Sequence, residues 1–164
     1  MRNEPGIDIH DVIYTRPKDT KLSDLEINCI KWINDKFSNL QHGNTTFANH
    51  LYDTFCCMKH MGCSTNACLA GLFHSIYGTD FYELNMRFER NFIKDMIGDE
   101  AETLCYYFCE ENRDNKIMNN MHGLPIETFK NLLYMLYANK IVQIDYVPFD
   151  FKDFSIIKEK ILRV

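Results

Sequence analysis

The chain has 164 residues, 46% of them hydrophobic and 25% charged, with a formal net charge of −5. That is the size of one domain with room for a substantial core. The acidic balance argues against a nucleic-acid backbone as the main partner, which would need clustered Lys and Arg.

No apolar run reaches the length of a bilayer, and Met1-Arg2-Asn3-Glu4-Pro5 contains no apolar signal core, so the expectation is a cytoplasmic protein with no membrane attachment. Seven cysteines are an odd number for a disulfide framework. A helical core of this size does not need bridges, so they read as reduced thiols.

Residues 1–22 hold two prolines and no sustained period, which predicts an extended arm before a domain spanning 23–164. Ser23 with Glu26 three positions on forms a capping box. It opens a helix to about Phe37 with Leu25, Ile27, Ile30, Ile33 and Phe37 near one face. A polar break over 41–46 precedes a second helix, in which Phe47, Leu51, Phe55 and Met58 recur up to Gly62.

Ser64 or Thr65 caps a third helix, predicted to run to about Tyr77 with Gly78 as its stop. Ala67, Ala70 and Gly71 make it thin enough for a close neighbour. Helix is also predicted from about Phe81 to Ile97, and again from an Asp99/Glu102 cap to about Glu111. The segment from Asn112 to Gly123 reads as loop. Pro125 suits the first turn of a long helix with Phe129, Leu132, Leu133, Leu136 and Ile141 as its stripe. Val142 to Val147 alternates like a short strand before Pro148, and a last helix is expected over 154–162 behind Asp153. The fold class is therefore all-α, one helical bundle with a minor extended tail.

Two histidines stand out. His74 closes the apolar stretch Ala67-Cys68-Leu69-Ala70-Gly71-Leu72-Phe73-His74, and His50 sits among Phe47, Ala48 and Leu51 on the preceding helix. A buried imidazole needs a hydrogen bond or a metal. The residues alone leave open whether the two are packing histidines bonded to nearby oxygen atoms or members of a functional cleft.

The order of a His-bearing helix, then Leu72-Phe73-His74-Ser75, then Tyr77-Gly78-Thr79-Asp80, then Ile93 to Glu102, resembles the HD-domain superfamily of helical metal-dependent phosphohydrolases. The resemblance covers about residues 40–145. It is closest to an uncharacterised HD-like group with His-Ser in place of His-Asp. It implies an HD-like bundle acting on a phosphorylated or polar small molecule, with His50 and His74 as catalytic residues and metal ligands. Ser75 stands where the doublet's aspartate would be, and Asn139 in Tyr137-Ala138-Asn139-Lys140-Ile141 where the last aspartate would be.

Both carboxylates are thus replaced by neutral groups. Hard dications lose most from that exchange, so the expected cofactor is at most one imidazole-tolerant ion, Zn²⁺ or Fe²⁺, or none. The alternative is a catalytically inactive HD-like ligand-binding or interaction module.

Asp53, one turn from His50, is a candidate ligand or orienter, and Tyr77, Phe81 and Tyr82 are candidates for lining a ligand cleft. Cys56, His60 and Cys63 share a helical stripe that a structural zinc could use, or they are small core residues. Cys105 and Cys109 read as packing residues. Arg87, Arg90 and Arg113 are either anion-binding or solvated. Phosphate-binding glycine loops and the Gly-x-Ser-x-Gly elbow are absent from the sequence.

Overall fold

A computed structural model describes residues 20–80, 82–144 and 151–164. Most of the predicted 1–22 arm, together with Phe81 and Asp145 to Val147 of the expected strand, lies outside the described residues. The fold is mainly α-helical. In chain order it runs α1 (Asp24–Phe37), a two-stranded antiparallel hairpin of β1 (Gln41–His42) and β2 (Thr45–Thr46), then α2 (Phe47–His60) and α3 (Thr65–Leu72). There follow α4 (Arg90–Ile97), α5 (Asp99–Phe108), α6 (Arg113–Met118), α7 (Ile126–Ile141) and α8 (Phe151–Arg163).

Helix starts follow the side-chain caps where those are local. Ser23 Oγ accepts from the Glu26 N–H while Glu26 returns a bond to the Ser23 N–H, completing the box. Thr46 and Ser64 cap α2 and α3 through the Asn49 and Ala67 N–H groups. Helix α1 buries Cys29, Ile33 and Phe37, whereas Leu25 and Ile27, expected on the same face, point to solvent at 46% and 48% exposure. Glu26 takes the inward position instead, and is buried only because Lys59 of α2 pairs with it at 2.8 Å.

The centre of the bundle is α2 against α3, with α1 and α7 on α2, α5 on α3, α4 on α5 and α8 on α7. Gly71 lets α3 come close to α2: a Cβ there would lie 2.5 Å from Met58 Sδ. Phe37, Phe47, Phe55, Phe73 and Phe108 are completely buried, each stabilising the fold by about 1.5–3 kcal/mol through burial alone. Trp32 ties α1 to the rest, stacking on Phe73 at 5.7 Å and meeting Phe37 and Phe88 edge-on at 5.9 and 5.5 Å.

Several expectations are corrected. Helix α3 stops at Leu72 rather than near Tyr77, and residues 73–77 form tight turns. The helix expected from Phe81 begins only at Arg90. Between the Thr79–Tyr82 bridge and Glu89 the chain is irregular and bends at Asn85, with Leu84 buried, Tyr82, Met86 and Phe88 half-buried, and Glu83, Asn85, Arg87 and Glu89 outside.

The segment expected as loop contains α6. Pro125 caps α7 rather than entering it. Val142 to Ile144 continue α7 as turns and not as strand. Helix α8 starts at Phe151, so Asp153 lies in its first turn.

Glu102 does not cap α5. Gly98, with φ +87°, occupies the N-cap position without a side-chain bond, and α5 ends at Phe108, short of Glu111. The Glu102 carboxylate is instead buried in a clip: Arg90 donates to both of its oxygens at 2.7 Å, and Tyr77 Oη donates at 2.8 Å. Burial pushes the Glu102 carboxyl up, but the Arg90 and Tyr77 bonds outweigh it and hold the group below the usual carboxylate range.

Arg90 is half exposed, so the pair is partly screened. Arg90→Ala is expected to lower stability by about 1–3 kcal/mol, and Arg90→Lys to recover little of it, because a lysine cannot make the two-pronged contact. Urea denaturation of the two variants checks this; full recovery with lysine would show that the geometry is immaterial.

Candidate functional site

His50 is carried by α2 and lies one turn after the Thr46 cap. His74 lies in the turns after α3, two residues beyond its end. The reason is local: His74 Nδ1 sits 2.7 Å from the Gly71 carbonyl, the oxygen that would accept from the Ser75 N–H were the helix to continue. The imidazole takes that acceptor, the Phe73 N–H is shared between the Leu69 and Ala70 carbonyls, and the helix closes.

The two rings then meet with Nε2 to Nε2 at 3.0 Å, both imidazoles being almost completely buried. Protonation follows from the partners. A carbonyl only accepts, so neutral His74 carries its proton on Nδ1 and offers a lone pair at Nε2. His50 must therefore donate from Nε2, which leaves its Nδ1 as an acceptor.

Asn139, buried on α7, lies beside both rings and works against the fall of their pKa values. Gln143, half-buried in the turns after α7, donates from its amide nitrogen to Asn139 Oδ1 at 3.1 Å and lies beside His50.

The pair sits within a column of π systems. The Arg113 guanidinium lies 4.2 Å from the Phe108 ring centre, Phe108 meets His74 edge-on at 5.4 Å, and on the far side His42 of β1 stacks on His50 at 4.3 Å. Tyr82 closes the column against His42 at 4.8 Å.

Burial drives both imidazoles toward the neutral form. His74 is pushed down to about 3, with Arg113 and His42 adding repulsion against the Gly71 and Asn139 bonds. His50 falls well below the ordinary histidine value through burial and then the charges of His74 and His42. At neutral pH the two imidazoles are uncharged, and Arg113, paired with Asp114 at 3.1 Å, adds a smaller bias against their protonation.

The other candidates fall elsewhere. Ser75 is buried next to His74. Asp53 is half exposed; it raises the Cys57 thiol and is not among the groups that shift the imidazoles most. Tyr77 belongs to the Glu102 clip and lines, with Thr79, Asp80, Tyr82, Arg87 and Cys109, an open groove of about 770 Å³ that neither imidazole enters.

Cys56 is buried while His60 is exposed, and among the described residues no three His, Cys, Asp or Glu side chains are grouped to hold a metal. All seven cysteines are free thiols. Cys105 and Cys109 donate to the Ala70 and His74 carbonyls, and burial pushes Cys57, Cys68 and Cys109 up to about 12, which suits packing and not nucleophilic attack. His42 and Gln143 were not foreseen from the sequence.

The metal centre implied by the HD resemblance can be tested on this donor set. Two imidazoles on one ion at about 2.1 Å would place their nitrogens roughly 3.0–3.4 Å apart, so the observed 3.0 Å suits an ion as well as a shared proton. Charge decides between them. The donors are neutral and no carboxylate is among the groups that shift either imidazole most, so nothing there offsets the charge of a dication. A single proton satisfies both nitrogens without these penalties. The residues do not fit a two-metal hydrolase centre.

Fold and cluster thus define a helical bundle organised around a buried, uncharged imidazole–amide network. A family model described as a domain of unknown function, DUF6817, matches residues 34–113, a stretch that contains both histidines, Arg113 and the Glu102 clip but ends before Asn139. No curated protein and no solved structure matches the chain. Among the described residues no helix is long and apolar enough to cross a membrane.

Proposed function

We propose that the chain is an HD-like module in the cytoplasm that binds a small polar metabolite at the His50–His74–Asn139 cluster and does not hydrolyse phosphoesters by metal catalysis. One observation carries this reading: the two imidazoles face each other at 3.0 Å in a buried setting, and no carboxylate is among the groups that shift them most. Such a network keeps the convergent geometry of a hydrolase centre without the carboxylates that hold its ions. The net charge of −5 supports a small-molecule partner over nucleic acid.

Elemental analysis of protein purified without chelator is expected to find substoichiometric zinc, iron and manganese, and nucleotides and small phosphoesters are expected to remain uncleaved. Ser75→Asp combined with Asn139→Asp, which puts carboxylates at both departed positions, is expected to create divalent-metal binding by calorimetry. Stoichiometric Zn²⁺ or Fe²⁺ in the unmodified protein, with metal-dependent turnover, would return the chain to the enzyme reading.

A further inference from the structure

The Thr79–Tyr82 bridge uses the main chain of both residues, the Thr79 N–H donating to the Tyr82 carbonyl and the Tyr82 N–H to the Thr79 carbonyl. Beyond it the pairing stops. From Glu83 to Phe88 no main-chain N–H or carbonyl bonds to another described residue, and pairing resumes only where the Glu89 carbonyl accepts from the Ile93 N–H at the start of α4. The run is nevertheless laid against the core, with Leu84 buried and Met86 and Phe88 half-buried.

A segment pinned by its side chains and unbonded along its backbone offers what a sheet edge offers, a row of open donors and acceptors. The open groove of about 770 Å³ follows this run, lined by Glu83, Met86, Arg87, Phe88 and Glu89. The bend at Asn85 divides the run and leaves Met86 to Glu89 as the longer uninterrupted piece. Asp80, also on the groove, is tied down by accepting from the Asn112 N–H at 2.8 Å.

Glu83, Arg87 and Glu89 are exposed and have no ion-pair or hydrogen-bond partner among the described residues. A simple anion would be repelled by the two carboxylates, and a simple cation by the guanidinium that stands between them in sequence. An extended polypeptide suits both features. Its own amides pair with the open backbone, and its outward side chains can set opposite charges against all three groups, with the two carboxylates calling for a net-basic segment.

We propose that the run from Glu83 to Glu89 is the docking edge for an extended, net-basic segment of a partner protein, paired antiparallel along Met86 to Glu89. Basic residues of that segment face Glu83 and Glu89, an acidic one faces Arg87, and the apolar residues between them lie beside Met86 and Phe88. Neither imidazole of the His50–His74 pair lines this groove, so the two sites stand or fall separately.

The test titrates isotope-labelled protein with acetyl-Lys-Val-Glu-Val-Ser-Val-Lys-amide and follows the backbone amide resonances by NMR. The peptide is expected to move the signals of Met86 to Glu89. Its charge-reversed form, with Lys and Glu exchanged, is expected to bind roughly tenfold more weakly, because the cross-strand pairs turn from attraction to repulsion. Glu83→Lys combined with Glu89→Lys, both at exposed positions, is expected to reverse that order. Two further versions carry N-methyl groups, one on the Val amides and the other on the Glu and Ser amides. Alternate amides of a strand face the same neighbour, so only one version is expected to lose binding, by roughly tenfold.

If the peptide leaves the amides of Glu83 to Glu89 unmoved up to its solubility limit, or if both N-methylated versions bind as the parent does, no strand is added and the proposal is overturned. Equal affinity of the two charge forms overturns the basic partner. Signals that move at His50 and His74 instead would place the peptide at the buried cluster and overturn it too. Metal content and phosphoesterase activity are read in separate experiments, so the result at the groove leaves the reading of the imidazole pair as it stands.

Discussion

Acidification from pH 7 to about 4.5 is expected to destabilise the protein by about 2–3 kcal/mol through His74 alone, with His50 adding to it. Both imidazoles titrate lower in the folded protein than in the unfolded chain. Their contribution is therefore complete above the unfolded histidine pKa near 6.5 and is lost as pH falls toward the folded values, since only the unfolded state takes up the proton in that window.

His42, on β1, is shifted downward by burial as well, and Arg113, on α6, opposes charge on both buried rings. The carboxyls of Glu26, Glu102 and Asp114 are also held below their ordinary values. Their stabilisation is present above about pH 4.5 and falls away only in stronger acid, so the loss between pH 6.5 and 4.5 belongs to the histidines. Urea denaturation at half-unit steps reads this slope. His74→Asn, whose amide can still donate to the Gly71 carbonyl, is expected to be less stable at pH 7 but flatter in that window. A wild-type profile that stays level from pH 7 to 5 would show that the pair is not buried neutral.

Phe73→Ala is expected to destabilise by about 3–5 kcal/mol, lowering the melting temperature by about 10 °C. The side chain is completely buried, stacks on Trp32 and ends α3, so its removal leaves a cavity between the first helix and the segment that presents His74. Trp32 is the only tryptophan, and its fluorescence should change along with the stability. Phe92, also near Trp32 at 6.0 Å but 49% exposed, provides the contrast. Its alanine variant should cost about 1 kcal/mol or less. Equal effects at the two positions would mean that the stack contributes nothing beyond surface coverage.

What could be read from the sequence was what the chain decides over three or four residues. The Ser23–Glu26 box, the caps at Thr46 and Ser64, and the thinness of Gly71 are local signals, and each has its counterpart in the bundle. His50 and His74 were picked out because a polar ring in an apolar run is conspicuous without any structure.

The misses have two causes. Between Tyr82 and Glu89 the apolar residues alternate with polar ones at a period of two, and that pattern was present in the sequence but overridden by the helical signal of Ile93 and Ile97. Reading Val142 to Val147 as strand hid the fact that Gln143 follows Asn139 by one helical turn.

Other features could not be seen locally at all. Glu102 looked like a cap because its partners, Arg90 and Tyr77, are 12 and 25 residues away. His42 joins the cluster only because a tight hairpin folds it back over α2.

The bond from His74 Nδ1 to the Gly71 carbonyl makes the end of α3 and the orientation of the imidazole one and the same event. Any change that turns the ring returns that carbonyl to the backbone, where the Ser75 N–H can claim it and wind the helix onward, carrying Ser75, Ile76 and Tyr77 to new azimuths. Replacing His74 therefore edits the path of the main chain as well as the chemistry of the pair. His50, held on a complete helix by backbone bonds that owe nothing to its side chain, is the position at which chemistry can be changed while the scaffold stays put.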